Sequence, residues 1–295
     1  MFLSNLVFVL ATNTMVRSAA LPTQTRVTLQ AFLADGSIRE STIKRDDQML
    51  ATLNTINSQA DAAKILDANF LNFNSSVDLD VQRKSQLLQG WKDAVTLAFV
   101  TFNEGQYGHP PFSDYFALSD GQNVRETFYD VWNGDGDVGS RHLRAQIFDN
   151  RDYAAQCKQA GNFTSVVLAY TATFIVDGGT IARTHVCDEG YKLPALSKVT
   201  CNSLGDTVSN KMDILGGILL QQWIHFDAIG KDNMGRHVGD VPNGYGPANV
   251  RELLPTDQAK NAANYRWFAL ETFWRVTCKR TFADPRISTE SKIDL

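Results

Sequence analysis

Residues 211–230, KMDILGGILLQQWIHFDAIG, constrain the fold more than any other stretch of the chain. Ile214, Leu215, Ile218, Leu219 and Ile224 recur at helical spacing, and Gly230 stands where a helix stop is expected. Gln221 and His225 are four residues apart, so both project from one face of this helix. An apolar helix of this kind needs a core to enter. The chain has 295 residues, 43% of them hydrophobic, enough for one large domain or two modest ones.

The charges exclude some partners. With 28 basic and 32 acidic residues the net charge is -4, which gives no reason to expect nucleic acid or an anionic membrane. Residues 1–20 have the pattern of an export signal: apolar Phe2, Leu3, Leu6, Val7, Phe8, Val9, Leu10 and Ala11 lead to small residues Ser18-Ala19-Ala20. No later apolar run approaches the roughly 20 residues that span a bilayer. A secreted, extracellular chain with no membrane insertion is the expectation. Cys157, Cys187, Cys201 and Cys278 are an even set, which in an exported chain favours two disulfides. Three connectivities exist, and the short separation of Cys187 from Cys201 favours that pair, leaving Cys157 with Cys278. Without a C-x-x-C pair, a cysteine zinc site is disfavoured. Asn74-Ser75-Ser76 and Asn162-Phe163-Thr164 are glycosylation acceptor sequences.

Along the chain, residues 26–32 alternate into the turn Ala34-Asp35-Gly36-Ser37, predicting a hairpin. From residue 41 to about 69 the pattern becomes helical, and residues 72–80 are a polar join. Residues 81–102 carry a wide apolar stripe that includes Leu87, Leu88, Trp91, Ala94, Val95 and Ala98. Another helix is expected over 121–132. Asn133-Gly134-Asp135-Gly136-Asp137 starts like a calcium loop but lacks the later glutamate, so a turn-rich loop is the better account. Residues 142–148, 166–176 and 181–187 read as strands, and 264–278 as the last helix. The organisation expected is a signal over 1–20, an N-terminal extension over 21–70, a main domain over 71–280 and a loose tail over 281–295.

A histidine at 221 and a glutamate at 222 would turn the opening helix into H-E-x-x-H, in which two histidines hold zinc and the glutamate takes a proton from the bound water. The order of segments strengthens that comparison. Trp91-Lys92-Asp93-Ala94, Ala169-Tyr170-Thr171, Gly244-Tyr245-Gly246-Pro247-Ala248-Asn249 and the run from Asn261 to Leu270, NAANYRWFAL, are similar to successive stretches of one family. Residues 73–278 thus resemble the aspzincin peptidases, the fungal group of deuterolysin and lysine-specific metalloendopeptidases. The resemblance implies an α+β, zincin-like metallopeptidase domain, mostly helical with a small sheet. It also implies two histidine ligands and an aspartate in a following G-T-x-D-x-x-Y-G. Aligned on Tyr245-Gly246, that motif puts Pro242 at the ligand aspartate.

By this resemblance Gln221 and Pro242 stand at lost ligand positions, Gln222 at the lost general base, and His225 at a retained ligand position. A neutral amide oxygen is a poor zinc ligand, and a glutamine cannot take a proton as a carboxylate does. Asp240 and His237 could rebuild a site with His225, or all three could be ordinary polar residues. Tyr245 could be an oxyanion-type donor or a packed aromatic. No G-x-S-x-G occurs and the five histidines are scattered. The expectation is therefore a pseudopeptidase that binds a peptide or extracellular protein, with no cofactor. The rival is an active metalloendopeptidase with a rearranged zinc site. Zinc capture is disfavoured for want of a His- or Cys-rich tail.

Overall fold

The computed structural model describes residues 25–32, 38–45, 70–132, 146–157, 167–176 and 179–285. Strands β1 (Thr25–Phe32) and β2 (Ile38–Arg45) pair antiparallel, with Phe32 opposite Ile38, as the alternation and turn residues predict. Residues 41–45, read above as the start of a helix, belong to β2. The β-branched Ile38, Thr42 and Ile43 outweigh the helical spacing that follows, because such side chains favour the pleated backbone. The rest of that expected helix, the export signal, the Asn133–Asp137 loop, Asn162 and residues 286–295 lie outside the described residues.

The main body begins at β3 (Phe70–Leu71) and the long helix α1 (Asp78–Glu104). Asp78 and Asp80 in its first turn complement the positive end of the helix dipole. Helix α2 (Gly121–Trp132) occupies the span its periodicity predicts. Then come β4 (Gln146–Asp149), β5 (Ala169–Val176), β6 (Gly179–Val186), α3 (Leu215–Ile224), α4 (Gly246–Glu252) and α5 (Ala262–Cys278). The sheet runs β3-β4-β6-β5: β3, β4 and β6 are parallel, and β5 is an antiparallel edge strand on β6. The architecture is α+β, a helical body with a small sheet.

Helices α1, α3 and α5 pack together as the core. Two glycines let α1 and α3 approach closely: a Cβ on Gly216 would sit 2.5 Å from Asp93 Cβ and 2.9 Å from the Ala94 nitrogen. Every residue of α3 is buried, as are Ala262 to Trp274 of α5. Rings of Phe112, Phe116, Phe128 and Tyr265 gather around Phe268 and one another, most in edge-on or tilted contact. Helix α5 ends at Lys279, whose left-handed φ of 52° caps it.

Helix α3 stops earlier than Gly230. Phe226 turns to extended backbone, buries its ring, and its carbonyl accepts the Gly230 N–H at 2.7 Å; a wider π-type turn (Asp227–Lys231) follows, in which the Asp232 N–H donates to the Asp227 carbonyl. Gly230 is required there for another reason: any Cβ would collide with the Ile224 carbonyl oxygen.

The cysteine pairing also differs from the expectation. Cys157 bonds Cys187 and Cys201 bonds Cys278. Short separation is a poor guide because two 3-10 turns (Gly190–Lys192 and Leu196–Lys198) intervene between Cys187 and Cys201. Cys157, after β4, instead comes beside the end of β6, with Cα atoms 5.6 Å apart. The tail is held as far as Ala283, which bridges to Thr207, and Phe282 is buried. No described helix is long and apolar enough to cross a membrane. Two disulfides are compatible with an extracellular chain.

Candidate functional site

A cleft of about 270 Å³ opens between the start of the edge strand β5, the inner turns of α3 and the N-terminal half of α5. Val167, Leu168, Ala169 and Tyr170 form one wall, Ile218, Gln221 and Gln222 another, and Arg266 and Trp267 the floor. The loop that precedes α4 contributes Asp240 and Tyr245. Beyond the hairpin with β6, β5 has no strand partner among the described residues, and its first residues, Ala169 and Tyr170, line the cleft.

Asn261, fully buried at the start of α5, fixes the loop. Its Oδ1 accepts the Val241 N–H at 3.1 Å, and its Nδ2 donates to the Gly244 carbonyl and to Asn264 Oδ1. Asn264, also fully buried, donates in turn to the Tyr115 and Val250 carbonyls. The polar residues of the stretch that most resembles the family's final helix thus satisfy buried backbone that would otherwise lack partners.

The loop delivers the Asp240 carboxylate to α3. Gln221 Nε2 donates to Asp240 Oδ1 at 3.1 Å, and His225 Nε2 lies 3.5 Å from the same oxygen. The Tyr245 hydroxyl also bonds Asp240; burial, the Asp240 charge and that bond push the phenol above its ordinary range. His225 Nδ1 faces the Val238 carbonyl at 3.2 Å, so Nδ1 is the donor and Nε2 looks toward Asp240.

On its other side Gln221 meets a cation. Arg266 Nη1 donates to Gln221 Oε1 at 3.2 Å, while Arg266 Nε and Nη2 grip both carboxylate oxygens of Asp213. Asp213 and Arg266 side chains are only 8% and 10% exposed, so the pair is held in a poorly solvated place. A continuous chain results: Asp213, Arg266, Gln221, Asp240, then His225 and Tyr245. Gln222 stands apart from it, its Oε1 accepting the Thr171 hydroxyl at 2.8 Å.

The structure brings Gln221, His225, Asp240 and Tyr245 together, sets Gln222 apart on Thr171, and leaves His237 and Pro242 out. His237 is exposed, its Nδ1 3.3 Å from Asp227 Oδ1. Pro242 is exposed and does not line the cleft. Among the described residues, no group of three His, Cys, Asp or Glu ligand atoms includes His225, His237 or Asp240. Asn74 is exposed, its Oδ1 turned back to the Ser76 N–H. Sequence reasoning missed Asp213, Arg266 and Thr171. The one available signal was an arginine set between Tyr265, Trp267 and Phe268 on a helix read as packed inward, which demands a buried acceptor somewhere in the chain. No family model matches the chain, and none of the curated proteins matches it.

Proposed function

We propose that this is a secreted, zincin-like pseudopeptidase that holds an extended peptide in the β5–α3 cleft without hydrolysing it. The observation that carries this reading is the Arg266 guanidinium on Gln221 Oε1. Catalytic zinc takes three protein ligands and keeps one open position. Here His225 Nε2 and Asp240 Oδ1 are two, and the third place is a neutral amide oxygen already engaged by a permanent cation. These residues do not fit a catalytic zinc, because the guanidinium repels a divalent ion as well as occupying the donor. Gln222, bonded to Thr171, is no general base.

The remaining features suit binding. The β5 edge, with no further strand partner among the described residues, offers backbone donors and acceptors to an extended peptide. The cleft beside it is slightly smaller than the usual range for small-molecule pockets, about 300 Å³ upward, and suits one or two side chains. A second reading, a metallopeptidase with a rearranged site, rests on the approach of His225 to Asp240 and lacks a third donor, since His237 faces Asp227.

The test is selection of a displayed random peptide library on the purified chain, with affinities by fluorescence anisotropy. Peptides should bind wild type and lose affinity in Ile218→Trp, which fills the cleft, while the distant Lys198→Ala has no effect. Selected peptides that bind all three proteins equally, or are cut by wild type in a chelator-sensitive way, would contradict the reading.

A further inference from the structure

The Cys157–Cys187 disulfide lies beside a third group with metal-ligand chemistry. A ring nitrogen of His185 and the two sulfurs all lie within 4.8 Å of one another. Local geometry explains this. His185 and Cys187 are two residues apart along β6 and its extension, so both side chains leave the same face. Cys157 arrives from the segment after β4, the strand adjacent to β6.

His185 is already set up as a ligand. Its Nδ1 lies 2.8 Å from the Asp149 backbone carbonyl, which can only accept, so Nδ1 carries the proton. The Nε2 lone pair is left as the ring's donor. A metal-bound histidine is oriented in this same way, through a carbonyl on its other nitrogen. The ring is 6% exposed and packs against Tyr170, directly across the strand pair, with centroids 5.5 Å apart.

We propose that reduction of Cys157–Cys187 creates a Cys₂His site for a thiophilic metal ion, with zinc the first candidate. A tetrahedral zinc with Zn–S of about 2.3 Å and Zn–N of about 2.0–2.1 Å needs ligand atoms roughly 3.5–3.8 Å apart. The present spacing, within 4.8 Å, meets that once the sulfurs separate from their covalent bond. Two thiolates and an imidazole are a borderline-soft set that suits zinc or cuprous ion and not calcium or magnesium. The fourth position is left for water.

The reductant is a dithiol. Its thiolate attacks Cys157 Sγ, the half-buried sulfur, and Cys187, which is buried, leaves as thiolate. The second thiol of the reductant then displaces Cys157 and departs as a cyclic disulfide. In sum, protein disulfide, dithiol and Zn²⁺ give the zinc-bound dithiolate, the cyclic disulfide and two protons. The switch adjoins the cleft: Gln156 precedes Cys157, Tyr170 packs at a tilt against His185, and Gln156 and Tyr170 both line the cavity. The Cys187 N–H also bonds the Leu168 carbonyl at 2.9 Å, in the same wall.

The experiment uses the intact mature chain, reduced on an immobilised dithiol that is filtered off under argon, then titrated with Zn²⁺ against a chromophoric chelator. Reduced wild type should take up one zinc that the oxidised chain does not. Co²⁺ in its place should give thiolate-to-metal charge-transfer absorption. His185→Ala should weaken zinc at least tenfold. In wild type itself, zinc should slow iodoacetamide alkylation of Cys157 and Cys187 and leave Cys201 and Cys278 unprotected. Equal alkylation with and without zinc, unchanged affinity in His185→Ala, or a reduced chain that unfolds without taking zinc would each overturn the proposal. The outcome is independent of whether the cleft binds peptide.

Discussion

Arg266→Met is the substitution that most sharply probes the cleft floor. It removes the guanidinium that holds both Asp213 oxygens and Gln221 Oε1, and takes the Arg266 charge away from the Asp213 carboxylate, which is only 8% exposed. Breaking a buried pair from one side costs about 3–5 kcal/mol, because the remaining charge stays desolvated. At about 2–4 °C per kcal/mol for a domain of this size, the midpoint should fall by roughly 6–20 °C. Urea unfolding should show the same loss as a lower midpoint with an unchanged slope. The double variant Asp213→Leu, Arg266→Met removes both charges, and should recover most of the stability lost by either single change. A loss under about 1 kcal/mol for Arg266→Met, or a double variant as poor as the sum of the singles, would refute the reasoning.

Three further outcomes follow from the packing. Burial raises the Asp93 carboxyl from 3.8 to about 6, against the opposing Leu196 N–H, Gln89 and Lys92. Because the folded value exceeds the unfolded one, its contribution favours the fold below pH 3.8 and is lost as pH rises through about 6. About two units correspond to roughly 3 kcal/mol, so the wild-type urea midpoint should fall from pH 4 to 7 relative to that of Asp93→Asn, and parallel curves would count against this. Gly216→Ala should cost about 1–3 kcal/mol by forcing α3 off α1, whereas Gly217→Ala, whose Cβ meets nothing closer than 3.4 Å, should be neutral or stabilising; equal effects in denaturant would refute the contrast. Peptide mapping of unreduced protein should recover Cys157 joined to Cys187 and Cys201 joined to Cys278, and either crossed pairing would contradict the sheet arrangement.

How much of this was legible beforehand depended on whether the information was local. The stripes of α1 and α2 and the strand-forming runs of β5 and β6 lie within single elements, so local sequence placed them within a few residues. The pairing of Cys157 with Cys187 is decided by which strand lies beside β6, which sequence separation does not encode. Gly230 reads as a helix stop because a glycine that ends a helix and one that admits a carbonyl look alike in sequence. The cleft shows the same limit. The spacing of Gln221 and His225 placed them together, but Asp213 and Arg266 are 53 residues apart and meet only when α3 lies on α5. Asp240 was singled out as a nearby acid, while its approach to His225 depends on the Asn261 clamp on the loop.

The most direct test of the central claim is a calorimetric zinc titration of the oxidised wild-type chain. With Arg266 on Gln221 and only His225 and Asp240 left to coordinate, no stoichiometric zinc should bind in the cleft. One tightly held zinc per chain, lost in His225→Ala, would contradict the account.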